Sequence, residues 1–497
     1  MQKMIELSPS TDTSCGSATS HAAVPLVVDM DGTLLRTNVS SANLLALAAG
    51  APRSLLRLPR WLLQHRNLCR ANIADIVLPP IESLPLNPDC VALITKRRAV
   101  GARVVLVSGA DERIVAAVAR QVGLFDEWYG SSRAINLSGA NKAAEAVRLF
   151  GERGFDYIGD SVTDLPAWRA ARHAYTLGAS PALRARATKA NASITHLAQS
   201  PGGLSWLTPL WRAMRPHQWV KNILVFAPLL AGHSFAAGHL AAAFFAFIAF
   251  SLTASSAYLV NDLFDLEADR AHPRKRHRPL AAGDLSLQRG GLAALSLAVC
   301  AGVISLTTLP LEFDLLLSLY FIATLSYSLW LKKKVFLDIF VLATLYTLRI
   351  IGGAVAIGIS VSPWLLAFSM FFFLALAVVK RLVELQTVIR ASPTRGSKRD
   401  YWAEDLGMIQ ALGAASGYLS VLVLALYFNS PEALALYSSP ELLWGICPLL
   451  LFWISRMLIL SNRGKLHDDP IVHTARDRVS YLVGGAIAIV IAASVLL

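Results

Sequence analysis

Charge is scarce in this chain: 16% of its 497 residues are Asp, Glu, Lys or Arg, against 55% that are hydrophobic. That balance excludes a wholly soluble protein, and the length exceeds one compact domain, so part of the chain is expected in lipid. Cysteine is scarce too. The five present (Cys15, Cys69, Cys90, Cys300, Cys447) are odd in number, scattered and never in a CxxC pair, which argues against a disulfide framework and a cysteine metal site. The stretch up to Ala23 lacks the apolar core, roughly 7 to 15 residues long, of a secretory signal, so the domain that follows is expected in the cytoplasm. Nucleic-acid motifs are missing despite the net charge of +13. The basic residues fall instead in short loops between apolar runs, as in a protein held against an anionic membrane face.

What is abundant is regular pattern. Up to about Leu210, short β-rich runs (VPLVVD, RVVLVSG, FDYIGDS, HAYTLGAS) alternate with helical patterns, predicting a doubly wound α/β domain around a largely parallel sheet. Between the first two runs, roughly 70 residues rich in Leu, Ala and Arg predict a small helical cap over the strand ends. Residues 1–22 read as a disordered N-terminus, 23–180 as the α/β domain, and 181–213 as a linker and interfacial segment. Trp206, Trp211 and Trp219 flank the entry to the first apolar run, either as an interfacial belt or as ordinary packing. Nine apolar runs follow, near 220–236, 238–260, 290–309, 314–331, 336–356, 362–380, 409–428, 441–460 and 480–497. Residues 214–497 therefore read as an all-α polytopic membrane domain of about nine transmembrane helices, the first short and interrupted by Pro228. Lys and Arg crowd the loops around 270–278, 332–334, 380–399 and 463–478 and are missing from the alternating loops. Nine spans then put every basic loop, and the N-terminal domain, on the cytoplasmic face of an inner membrane.

In VPLVVDMDGTLL, Asp29 and Asp31 directly follow an apolar strand, with Gly32 and Thr33 permitting a tight turn. Two carboxylates at i and i+2 on a strand end can divide labour, one attacking and one transferring protons, provided a cation neutralises them. Further along, Ser108 ends RVVLVSG, Lys142 lies in SGANKAAE, and Asp160 and Asp164 lie in YIGDSVTDLP. These motifs, in this order over about residues 24–180, resemble those of haloacid dehalogenase-type phosphotransferases. The resemblance implies that Asp29 attacks phosphorus to give an aspartyl-phosphate, while Asp31 protonates the leaving oxygen and later activates water. It implies Mg²⁺ on Asp29, Asp160 and the backbone carbonyl of Asp31, with Asp164 in support, and Ser108 and Lys142 on phosphoryl oxygens. The plainer reading makes them turn and cap residues of an inactive relic.

A second acidic cluster lies in NDLFDLEADRAHPRKRHRP. Asp262, Asp265 and Asp269, spaced by three and four, share one face if the segment is helical, and like charges so placed repel unless Mg²⁺ binds them. Magnesium held there can in turn bind a diphosphate. Capping or a solvated loop accounts for one or two aspartates, not for a triad at the end of a membrane helix. NDxxDxxxD resembles the first aspartate-rich motif of UbiA-type prenyltransferases, over about residues 212–497. The second such motif of aromatic-prenylating members is missing: the corresponding region, 327–353, has only Asp338. RPHQWVKN at 215–222, LKKKVFLD, VVKRLVE at 378–384 and DDPIVHTARDR at 468–478 resemble a narrower branch, the polyprenyl-phosphate phosphoribosyltransferases.

That branch implies a phosphate-rich substrate, with Lys221, Asn222, Asn261, Arg274, Lys275, Arg278, Lys332, Lys380 and Arg381 as candidates around it. Any one of Arg276, Lys333 and Lys334 satisfies the positive-inside rule without binding anything. Arg349, inside a span, needs a partner, and Asp338 or a substrate phosphate is expected. The implied reaction is Mg²⁺-dependent transfer of phosphoribose from phosphoribosyl diphosphate to a polyprenyl phosphate, with removal of the 5-phosphate by the first domain. Two rivals stay open: a prenyltransferase with an isoprenyl diphosphate donor, and a non-catalytic membrane scaffold carrying a regulatory soluble domain. The partners implied are the lipid, the phosphoribosyl donor and the bilayer, with a homo-oligomer left open and nucleic acid excluded.

Overall fold

The run Leu26–Val28 (β1) is buried on both faces, as its unbroken apolar sequence requires of a central strand in a parallel sheet. In the computed structural model, which describes residues 23–197, 205–391, 401–466, 470–474 and 476–497, the chain divides into units Met1–Gly203 and Leu204–Leu497. Expectations for residues 1–22, 392–399 and 467–469 lie outside the described residues.

In the first unit β1 sits between β2 (Val104–Asp111) and β4 (Asp156–Gly159), within a six-stranded sheet of order β3-β2-β1-β4-β5-β6 whose pairings are all parallel. Two strands were not named among the sequence runs: β3 (Glu127–Ser131) and β6 (Ile194–Leu197). Strand β6 pairs with β5 (His173–Leu177) after a helix over Pro181–Ala190. The residues expected to begin a linker at 181 therefore complete the sheet, because the ITHL run is short and half-exposed and carries little apolar signal. Alanines and Trp168 of the covering helices fill the core against Val27, Val105 and Tyr157.

The expected cap lies between β1 and β2. Helix α1 (Val39–Gly50) is N-capped by Asn38, whose side chain accepts from the Ser41 amide at 3.0 Å. A 3₁₀ turn (Pro52–Arg57) and a short helix (Leu58–Leu62) lead into α2 (Arg66–Ala74). Asn67 fastens α2 to the sheet domain by donating to the Ser132 and Arg133 carbonyls at 3.2 and 2.9 Å. Arg113 does the same through the Ala71 carbonyl at 3.0 Å and Asp75 at 2.7 Å.

The second unit is a multi-pass membrane domain. Among the described residues eight helices are long and apolar enough to span: α3 (Ala237–Phe264), α4 (Leu287–Thr308), α5 (Leu311–Leu329), α6 (Leu337–Ala356), α7 (Pro363–Ala391), α8 (Leu406–Phe428), α9 (Ile446–Asn462) and α10 (Arg478–Leu496). The count of nine is approximate. The first expected run is an eleven-residue 3₁₀ segment, Pro216–Phe226, followed by a helix over Ala227–Ala231. At about 2.0 Å per 3₁₀ residue and 1.5 Å per α residue, the pair reaches roughly 30 Å, the depth of a hydrocarbon core. It packs on α3 and α6, and a Cβ on Gly353 of α6 would run into the Val225 backbone. Trp219 here takes the packing role, its indole donating to Ser255 at 3.0 Å.

Helix α6 separates two apolar clusters, one around Phe250, Phe313 and Tyr320, the other around Phe373, Trp453 and Met457. Helix α3, with 28 residues, is about 42 Å long and outruns the hydrocarbon core, so an end of it reaches headgroup depth.

Candidate active sites

Parallel strands deliver their carboxyl ends to one edge of a sheet, and there β1 changes direction of winding between β2 and β4. Register pairs Val28 with Leu106 and with Ile158, so Asp29, Ser108 and Asp160 leave neighbouring strands at the same edge. Lys142, in the first turn of the helix Ala140–Phe150, reaches in: its Nζ lies 2.6 Å from Asp29 Oδ1 and 3.1 Å from Asp164 Oδ1. Tyr157 donates to Asp164 Oδ1 at 2.7 Å, while the Asp160 and Ser161 amides donate to Oδ2 at 3.2 and 3.0 Å. Thr33 Oγ1 stands 3.4 Å from both Asp29 and Asp160. Gly32, at φ +81°, is required twice over, by that backbone conformation and because a Cβ would collide with the Asp160 carboxylate. Asp31 turns the other way, accepting from the Val39 amide at 2.7 Å, and Ser108 Oγ accepts from the Ala110 amide at 3.2 Å.

Burial dominates the electrostatics. It pushes the Asp29 carboxyl up to about 7 against the pull of Lys142, and it raises Asp31 as well. Burial, then the Asp29 and Asp164 carboxylates, holds Asp160 well above the usual range. Asp164 ends below its usual range, since Lys142, Tyr157 and the Ser161 amide outweigh its burial. One oxygen each of Asp29, Asp160 and Asp164 lie within 4.8 Å of one another, the one such acidic group among the described residues. Three crowded carboxylates with a single ammonium leave negative charge that a hard divalent cation fits, so this donor set suits Mg²⁺.

In the membrane unit, Asp262 lies in the last turn of α3, Asp265 at its C-terminal cap, and Asp269 in the short helix Leu266–Ala271. The expectation of one shared helical face needs correcting. The chain turns at Asp265, so two carboxylates converge and one diverges. Arg278 Nη1 lies between the converging pair, 3.0 Å from Asp262 and 2.5 Å from Asp269. Arg215 grips both oxygens of Asp262 at 2.5 and 2.7 Å. Asp265 instead meets Lys332 at 2.7 Å, which also reaches Asn261 at 3.4 Å. A guanidinium nitrogen shared by two buried carboxylates occupies the position a cation would take, so the donor chemistry again suits Mg²⁺.

All of these groups but Asp262 line a cavity of about 850 Å³; Asp262 is buried and held by Arg215 and Arg278, which do line it. Of the sequence candidates, Lys221, Asn261, Asp265, Asp269, Lys275, Arg278, Lys332, Arg349, Lys380 and Arg381 line it. Asn222 does not; it sits behind Arg349, accepting from its Nε at 2.7 Å and donating to Ser251 at 3.0 Å. Arg274 is exposed and outside the cavity wall. The expected Asp338–Arg349 pairing is not made. Asp338 is wholly buried, 2.7 Å from Arg381 Nε and from the Tyr401 hydroxyl. Among the described residues Arg349 meets no carboxylate; it donates to Tyr320 at 2.7 Å and lies over the Tyr320 and Tyr346 rings.

Sequence reasoning missed two residues. Arg215 was inside a recognised motif but unassigned; its φ of +53° aims it at Asp262 and over Tyr258. Arg70, on α2, donates to the Gly109 carbonyl beside Ser108, and its charge acts on Asp31. No local signal marks it, since the contact spans 39 residues.

Two family models match the chain: haloacid dehalogenase-like hydrolase over residues 26–169 and the UbiA prenyltransferase family over 223–465. The uncharacterized protein y4nM of Sinorhizobium fredii is 36% identical over 471 residues, 94% of this chain and 90% of that protein, so the match runs through both units. A decaprenyl-phosphate phosphoribosyltransferase of Mycolicibacterium smegmatis is 33% identical over 54% of this chain and 87% of that protein. Among solved structures, a UbiA homolog of Archaeoglobus fulgidus bound to GPP and Mg²⁺ aligns at 16% identity and a TM-score of 0.43, over 57% of this chain and 99% of its own.

Proposed function

Because the chain belongs to the UbiA prenyltransferase family and carries a haloacid dehalogenase-like hydrolase domain ahead of it, we propose that it builds a lipid-linked ribose in two steps. The membrane unit transfers 5-phosphoribose from phosphoribosyl diphosphate to a polyprenyl phosphate, and the soluble unit removes the 5-phosphate to leave polyprenyl-phosphoryl ribose. The observation that carries this reading is the charge of the membrane cavity, lined by nine lysine and arginine side chains against three carboxylates. Such an excess suits a donor with three phosphoryl groups and an acceptor with a fourth, more than one isoprenyl diphosphate with an apolar tail. Asp338 supports it from the other side: sealed by Arg381 and Tyr401, it offers no second acidic site to a metal.

In the first step an oxygen of the lipid phosphate attacks the anomeric carbon, and the bond from that carbon to the diphosphate breaks. Asp262, Asp265 and Asp269 are the residues that would hold Mg²⁺, whose contribution is to neutralise the leaving diphosphate. Arg215, Arg278 and Lys332 are within reach of the same phosphates and replace water around them. In the second step Asp29 attacks the 5-phosphate and Asp31 gives its proton to the departing ribose oxygen. Its carboxyl, raised by burial, is suited to being the acid. Asp31 then takes a proton from the water that frees phosphate from Asp29. Ser108 and Lys142 hold phosphoryl oxygens, and Asp29, Asp160 and the backbone carbonyl of Asp31 would hold Mg²⁺, with Asp164 in support. In this reading the soluble unit and the basic loops face the cytoplasm, which the crowding of Lys and Arg into alternate loops supports.

The test supplies membranes with ribose-labelled phosphoribosyl diphosphate and polyprenyl phosphate and follows label into the lipid phase. Label is expected there. Its absence, with activity on an isoprenyl diphosphate and an aromatic acceptor, would favour the prenyltransferase reading instead.

A further inference from the structure

The cap turns outward a surface that the phosphatase chemistry does not use. The 3₁₀ turn Pro52–Arg57 and the helix Leu58–Leu62 leave Leu56, Leu62 and Leu63 exposed at 86, 66 and 90%. Around them stand Arg53, Arg57, Arg60, His65 and Arg66, all exposed. No Asp or Glu occurs between Asp31 and Asp75, and among the described residues no ion pair holds Arg53, Arg57, Arg60 or Arg66. Single exposed leucines are ordinary on a protein surface. Three large ones in eight residues, interleaved with uncompensated arginines, match the composition of a segment lying at a lipid headgroup boundary, leucines in the acyl edge and guanidiniums on phosphates.

We infer that this leucine–arginine surface of the cap seats on an anionic lipid bilayer. The charge is complementary, and the chain itself continues into a membrane-spanning unit, so a bilayer is always within tether range. The surface is joined to chemistry as well. It runs directly into α2, which is fastened to the sheet domain by Asn67 and carries Arg70 to the Gly109 carbonyl beside Ser108. Seating the cap therefore presents the phosphatase site to phosphate esters at headgroup level. The inference does not depend on which ester that site cleaves.

The full chain is reconstituted in nanodiscs of phosphatidylcholine alone and of phosphatidylcholine with phosphatidylglycerol, then footprinted with hydroxyl radicals and read by mass spectrometry. Oxidation of Leu56, Leu62 and Leu63 should fall several-fold in the anionic discs and recover at high salt. Val100, exposed at the opposite end of the strands, should not change. Each of Arg53→Gln, Arg57→Gln and Arg60→Gln should weaken the association by about fivefold, and the triple variant should erase the lipid difference. Hydrolysis of soluble p-nitrophenyl phosphate, unchanged in these variants, certifies a folded domain; the wild-type comparison between lipids stands without them. Equal protection in both disc types at all salt concentrations would overturn the inference in favour of cover by the chain's own membrane unit or a second copy. No protection in either would overturn it in favour of a water-facing surface.

Discussion

Asp29 and Lys142 touch at 2.6 Å across 113 residues, and both are almost completely buried. Replacing the nucleophile by Asn keeps the shape and removes the attacking oxygen. Asp29→Asn should therefore abolish phosphate release while lipid labelling continues. Mass spectrometry of the lipid products should show the phosphorylated ribosyl lipid accumulating in the variant and not in the wild type; identical products would exclude the soluble unit from this step. Beside the membrane cavity, Asp262→Ala deletes a metal-ligand candidate and strands Arg215. Transfer should fall by more than about 100-fold with a weaker Mg²⁺ dependence, and an unchanged Mg²⁺ optimum would make the triad structural. Two arginines serve as a contrast. Arg215→Gln, at Asp262, should lower transfer steeply, whereas Arg274→Gln, exposed and outside the cavity, should stay within about threefold. Initial rates with labelled donor separate the two.

At the scale of elements, the contact of the 3₁₀ segment Pro216–Phe226 with α6 rests on the absence of a side chain at Gly353. Gly353→Leu should push the segments apart, shifting Lys221 and Asn222 with them, at a cost of about 1 to 3 kcal/mol. A drop of several degrees in the thermal midpoint of the detergent-solubilised protein would register it. Gly302→Ala in α4, where nothing lies within 4 Å, should be neutral or slightly stabilising. Equal effects of both would mean that the close approach is not what Gly353 provides. The turn at Asp265 matters in the same way, since it sends one carboxylate to Lys332 and leaves two around Arg278.

For the whole molecule, the two units should be separable. Asp262→Ala should leave p-nitrophenyl phosphate hydrolysis intact, as Asp29→Asn leaves lipid labelling intact, because each substitution removes chemistry from one unit only. Topology gives a further outcome. Counting the 3₁₀ run as a crossing makes nine, so a reporter fused after Leu497 should lie on the face opposite the soluble unit. Alkaline phosphatase and fluorescent-protein fusions decide it, and a reporter on the same face would reduce the crossings to eight.

The sequence by itself determined whatever is local or periodic. DMDGT after an apolar strand, YIGDSVTDLP, the aspartates of NDLFDLEADR and eight long apolar helices were all legible, because strand, turn and helix preferences act over a few residues. Strand β6 was not, being too short and too polar to stand out from a linker. Tertiary structure alone decided how charges pair. It joined Asp338 to Arg381 and not to Arg349, drew Arg215 onto Asp262 from 47 residues away, and brought Arg70 to the Gly109 carbonyl. A buried charge takes the partner that packing places within reach, and distance along the chain carries no information about that.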